Sequence, residues 1–312
     1  MIEQFSNIFT QMVILFLAMG VGYACKKANI IDEVLDKKLS SLVLNATLPC
    51  LILSSVLACD SLPEPIIMLE VIGLSLLSFV ILIAVAFLVT FVLRIPDGGR
   101  GIFRFIMIFG NTGFIGYPVI TAILGSQYVI YAVVYNLPFN FIVFTLGAWL
   151  IASDNPTGVK VRVSPRTFVN PCNIASVCAM VLAFLGVHSV PVIGDSLTTI
   201  GNFTTPATLL IVGSSLANLP VKRLFGGPRL FVASITRLVV TPLIIFAVMR
   251  TFLSGWLLTM LVILAAMPVA TNGTMLCYQY NGDAKTMAQG TFITTVFSLV
   301  TIPMLVILAS GI

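Results

Sequence analysis

Apolar residues along this chain fall into long blocks separated by short polar breaks, and the block length is informative. Crossing about 30 Å of hydrocarbon takes about 20 residues of α-helix. Blocks of that order lie at 7–25, 39–58, 66–93, 102–124, 127–151, 171–189, 196–217, 229–249, 256–279 and 286–309. They predict an all-α integral membrane protein with ten transmembrane helices. Three blocks are imperfect. The block at 196–217 is rich in Thr and Gly, while 102–124 and 256–279 carry Gly, Asn and Pro in their middles.

Composition removes the alternative of a water-soluble fold. The chain is 59% hydrophobic and 9% charged, with a mean hydropathy of +1.11, whereas soluble domains carry about 25% charged residues. Too few polar side chains exist to cover a water-facing surface, so lipid must solvate the outside. The start, Met1-Ile2-Glu3, places an acid where a secretory leader needs a base, so the first block is expected to stay as a membrane helix.

Charge then orients the spans, because Lys and Arg favour short cytoplasmic loops. Lys26, Lys27, Lys37 and Lys38 follow span one; Arg94, Arg100 and Arg104 follow span three; Lys160, Arg162 and Arg166 follow span five. Lys222, Arg223 and Arg229 follow span seven, and Lys285 follows span nine. The other side holds Arg250 with Glu3, Asp60, Glu64, Glu70 and Asp195. Both termini are therefore expected outside a cytoplasmic membrane.

A repeat is visible at one offset. Asn45, Thr47, Pro49, Leu62 and Pro63 correspond to Asn202, Thr204, Pro206, Leu219 and Pro220, each 157 residues on. Spans one to five thus repeat as six to ten. Five is odd, so the second copy enters the membrane from the opposite face, giving two inverted five-helix repeats over 1–151 and 171–312 with a cytoplasmic linker at 152–170.

Spans four and nine, which correspond in this repeat, should break. Span four reads Gly110-Asn111-Thr112-Gly113-Phe114-Ile115-Gly116-Tyr117-Pro118, and span nine reads Met267-Pro268-Val269-Ala270-Thr271-Asn272-Gly273-Thr274. Inside a helix proline costs about 3 kcal/mol and each glycine up to about 1 kcal/mol. Gly116, Pro118 and Pro268 are the expected breakers. Unwound backbone survives at membrane depth only when buried in protein or lining an aqueous cavity, so paired breaks mark a binding site. Each fresh helix N-terminus attracts negative charge. Asn111, Thr112, Gly113, Asn272, Gly273 and Thr274 could hold a carboxylate without a buried charge of their own. Asn45 and Asn202 either join them or merely end turns near Pro49 and Pro206.

These segments, together with Asn45-Ala46-Thr47-Leu48-Pro49, resemble the auxin efflux carrier family, which includes bacterial permeases for malonate, malate and related acids. Arg237 before Pro242 also fits the family pattern. The resemblance covers the whole chain and implies broken helices four and nine that cross near the membrane centre. It further implies scaffold helices 1, 2, 6 and 7, transport-domain helices 3–5 and 8–10, an elevator-like displacement of organic anions, and in several members a homodimer. The short loop between spans five and six departs from the plant carriers, which argues against auxin as the substrate and suits the bacterial permeases better.

Few groups remain for other chemistry. Arg237, the deepest charge in any span, either meets a second carboxylate of the substrate, pairs structurally or snorkels to the interface. His188 reads as a loop residue, and the six cysteines form no CxxC pair and no Cys/His cluster. No cofactor, metal or nucleic-acid partner is expected, and with no intramembrane acid pair or Ser/His couple neither is an enzyme. The expectation is a secondary transporter of small mono- or dicarboxylate anions in the lipid bilayer. The alternatives are a sodium-coupled symporter of larger amphipathic acids, or a channel or sensor on the same fold. Coupling to H+, to Na+ or to neither stays open, since Glu70 and Asp283 at the rims are the nearest acids.

Overall fold

The computed structural model describes residues 2–58, 64–154, 171–217, 227–280 and 282–310. Most of the expected 152–170 linker lies outside these residues, as do Leu62, Pro63, Leu219 and Pro220 of the repeat. The described chain is helical throughout. In order it forms α1 (Ile2–Lys27), α2 (Glu33–Leu42), α3 (Leu48–Leu57), α4 (Pro65–Val92), α5 (Arg100–Ile108), α6 (Gly116–Ile123), α7 (Val129–Ile142) and α8 (Ala148–Ser153). There follow α9 (Pro171–Phe184), α10 (Pro191–Gly201), α11 (Thr204–Ala217), α12 (Pro228–Ile235), α13 (Thr241–Met249), α14 (Gly255–Ala265), α15 (Asn272–Tyr280) and α16 (Ala284–Ser310).

Widened π-type turns at 43–47, 143–147 and 236–240 join α2 to α3, α7 to α8 and α12 to α13 without ending the rod. Among the described residues, five helices are long and apolar enough to cross a bilayer: Glu33–Leu57, Pro65–Val92, Ser126–Ser153, Pro228–Met249 and Ala284–Ala309. Their outer faces are oily. On α4, Ile66, Leu69, Leu76, Val80, Leu88 and Phe91 all stand exposed, which in water would be untenable and in lipid is the favourable arrangement.

The helices pack as two groups. In one, α1 lies on α11, and α3 on both α9 and α10. Glycine permits the first contact: side chains at Gly22 or Gly213 would collide with the backbones of Leu210 and Met19, so the two helices touch main chain to main chain. Lys26 and Ser214 both bond Asp36, at 2.7 and 2.8 Å, tying α1 and α11 to α2. In the other group, α4 packs on α5 and α7, α5 on α8 and α12, α13 on α14, and α16 on α12, α14 and α15. Here the buried core is dense, with every residue from Leu257 to Ala270 buried. The groups meet where α7 touches α3 and α9, and where α1 touches α6 and α16.

Two interruptions stand out. Residues 109–115 separate α5 from α6, and residues 266–271 separate α14 from α15. The first break falls upstream of the expected Gly116 and Pro118. Both of those residues lie in the opening turn of α6, where a missing N–H costs nothing because the first turn has no intrahelical acceptors. Pro268 does sit inside the second break.

Candidate functional site

The two breaks hold each other. Gly110 and Val269 form an antiparallel bridge, the Asn111 N–H donating to the Pro268 carbonyl at 2.6 Å and the Ala270 N–H to the Phe109 carbonyl at 2.9 Å. Two unwound segments that lost their helical partners thus satisfy each other. The Val269 N–H donates to the Thr294 hydroxyl of α16 at 3.0 Å.

Arg237 completes this junction from behind. It is fully buried, 1% exposed. Its Nε donates to the Met267 carbonyl at 2.9 Å, and its Nη1 to the carbonyls of Met107 and Ile108 at 3.3 and 3.1 Å. A side chain on Gly110 would strike the guanidinium, so glycine is required for the arginine to lie against the break.

In front of the junction is a cavity of about 280 Å³. Gly110 to Phe114 form one wall, with Ala270 and Asn272 from the second break. Leu48, Ile52 and Asn45 face it from the α3 side, Pro171 and Cys172 from α9, and Asn136, Phe139 and Asn140 from α7. The lining therefore draws on both packing groups. Its polar groups are mostly amides.

Within the cavity wall, a chain of bonds fixes the amides. Thr112 donates to Asn136 Oδ1 at 2.5 Å, and Asn136 Nδ2 donates to the Tyr117 hydroxyl at 3.0 Å. Asn111 Oδ1 accepts from the Phe114 N–H at 3.1 Å, which assigns its Nδ2 to the other side. That Nδ2 is buried and has no acceptor. The Gly113 N–H likewise makes no hydrogen bond to any described residue. Two donors are thus left over in the first break, just ahead of α6.

Of the residues singled out by sequence, Asn45, Asn111, Thr112, Gly113 and Asn272 are brought to the cavity. Four are not among its lining. Asn202 is exposed in the turn between α10 and α11; Gly273 packs on Phe105 and Met287; Thr274 is half-buried in α15; Arg237 lies behind Gly110. Asn136, Asn140 and Tyr117 were not singled out. Their signal was present, since two amides flanking Pro138 in an otherwise apolar span are costly in a membrane unless used.

Long apolar helices around a polar chamber walled by broken helix ends define a multi-pass membrane transport protein. Sequence comparison agrees: residues 7–306 match the family described as Membrane transport protein. The chain belongs to that family, the auxin efflux carrier family of the resemblance noted above. It is similar to an uncharacterized transporter of Methanocaldococcus jannaschii, 27% identical over 300 residues, 93% of this chain and 95% of the relative. An uncharacterized transporter of Methanothermobacter thermautotrophicus is 24% identical over 298 residues, 91% of this chain and 92% of the relative.

Proposed function

We propose that this protein is a secondary active transporter of small organic anions, mono- or dicarboxylates, working by alternating access. The observation that carries this reading is the buried Asn111 amide at the cavity wall, its Nδ2 without an acceptor beside the equally unpaired Gly113 N–H. A buried donor left unpaired costs about 1–3 kcal/mol. An incoming carboxylate recovers that cost and adds charge-assisted bonds. The volume suits a small acid, and Asn45, Asn136, Asn140 and Asn272 supply further neutral polar groups around it.

Ten spans in two inverted halves account for the packing. Thr47 and Thr204, equivalent at the offset of 157, bond each other at 2.9 Å, as residues beside a pseudo-two-fold axis should. The contact of α1 with α11 is matched by that of α9 with α3, which are the same pair exchanged between halves. The group containing α1, α3, α9, α10 and α11 is then the static scaffold. The group holding both breaks moves past it, carrying the anion in elevator fashion in a cytoplasmic membrane with both termini external.

Uptake by proteoliposomes tests the function directly. Labelled malonate, malate and phenylacetate are offered with pH and sodium gradients imposed separately. Saturable uptake accelerated by unlabelled acid on the opposite side is expected; non-saturable flux without counter-transport would instead indicate a channel. The response to each gradient identifies the coupling ion.

A further inference from the structure

A helix break creates two poles of opposite sign. The new N-terminus is worth about +0.5 charge and the new C-terminus about −0.5. Both poles lie close to whatever occupies the gap, so a broken helix by itself offers an anion little net attraction. Here the C-terminal ends of α5 and α14 would oppose the N-terminal ends of α6 and α15. The four ends together need something to break the tie.

Arg237 touches one sign only. All three of its bonded carbonyls, Met107, Ile108 and Met267, belong to the last turn of α5 or the segment just past α14. None belongs to α6 or α15. Among the described residues no carboxylate lies within ion-pair distance of it, and the other buried charge, Asp154, caps the start of α5 by accepting from the N–H groups of Gly101 and Ile102 at 2.8 Å each. Among the described residues, Arg237 is therefore a cation whose counter-charge is the pair of negative helix ends.

We infer that Arg237 sets the sign of the chamber: by quenching the two C-terminal poles it leaves the N-terminal poles of α6 and α15 to face the substrate unopposed. It acts through the Gly110 backbone, which stands between its guanidinium and the cavity, and never contacts the substrate. Arg237 is thus a positioning residue that makes the chamber prefer a carboxylate to a neutral molecule of the same shape. This rests on the anion reading given above.

The test is equilibrium binding, by calorimetry on the purified full chain, of acids and their amides: malonate against malonamide, and phenylacetate against phenylacetamide. Native protein should prefer the acid. Arg237→Gln should reduce that preference by about tenfold or more, while Arg237→Lys, which keeps the charge and loses the fork of donors, should retain most of it. A folded Arg237→Gln protein with the native acid preference overturns the inference and leaves the anion reading standing. No acid preference in native protein overturns both. Should Arg237→Gln fail to fold, Arg237→Lys decides, because a folded lysine variant that has lost the preference contradicts a role for the charge.

Discussion

The two breaks correspond in the proposed repeat and differ in what they present to the chamber. The first gives the chamber five consecutive residues, Gly110 to Phe114, and leaves the Asn111 amide unspent; the second gives Ala270 and Asn272. Around the second break nearly everything is consumed internally: the Val269 N–H by Thr294, the Met267 carbonyl by Arg237, the Pro268 carbonyl by Asn111. One break keeps a donor open to the chamber, and the other braces it. Under the proposed repeat the two weak points correspond, and rigidity at one allows the other to keep a donor free for a ligand.

This division can be broken at its binding side first. Asn111→Ala should lower uptake efficiency by about 100-fold, since a bond to a charged group is worth about 1.5–3 kcal/mol and its loss also removes the turn that Oδ1 holds. Transport kinetics in proteoliposomes, with a thermal melt to show the fold intact, check this. On the bracing side, Thr294→Val strands the buried Val269 N–H, and thermal unfolding in detergent should register about 2 kcal/mol of lost stability.

Asn272 faces the chamber from the braced break, so Asn272→Ala should cost about tenfold in uptake efficiency, less than its counterpart in the first break. Asn202 sharpens the comparison from outside. It lies at the offset of 157 from Asn45, yet it is exposed and absent from the cavity lining, so Asn202→Ala should leave uptake within about twofold of native, as surface substitutions usually do.

The sequence already located both breaks, because Gly and Pro act on the backbone locally and leave a visible mark. Two of the breakers it named, Gly116 and Pro118, open α6 instead of lying in the first break. Pro118 looks like a breaker in a string of letters, but in space it occupies the one helical turn that has no N–H bond to lose. The offset of 157 was equally legible, and two of the residues it relates, Thr47 and Thr204, bond each other. Arg237 could be recognised as deep. Its partners could not be read, since they sit 30, 129 and 130 residues away and are main-chain carbonyls, which carry no residue signature. The same holds for Thr294, one of many threonines on α16 until the fold brings Val269 against it. Asn136 and Asn140 were readable in principle from the cost of amides in a membrane, but an amide, unlike glycine or proline, leaves no mark on the local backbone.

A substrate anion should take up the two unspent donors of the first break, Asn111 Nδ2 and the Gly113 N–H. An experimental density map of the protein saturated with a transported carboxylate tests it most directly. The account predicts the carboxylate oxygens within hydrogen-bond distance of Asn111 Nδ2 and the Gly113 N–H, between the broken segments and α3. A carboxylate bound elsewhere, with those two donors still unpaired, would contradict it.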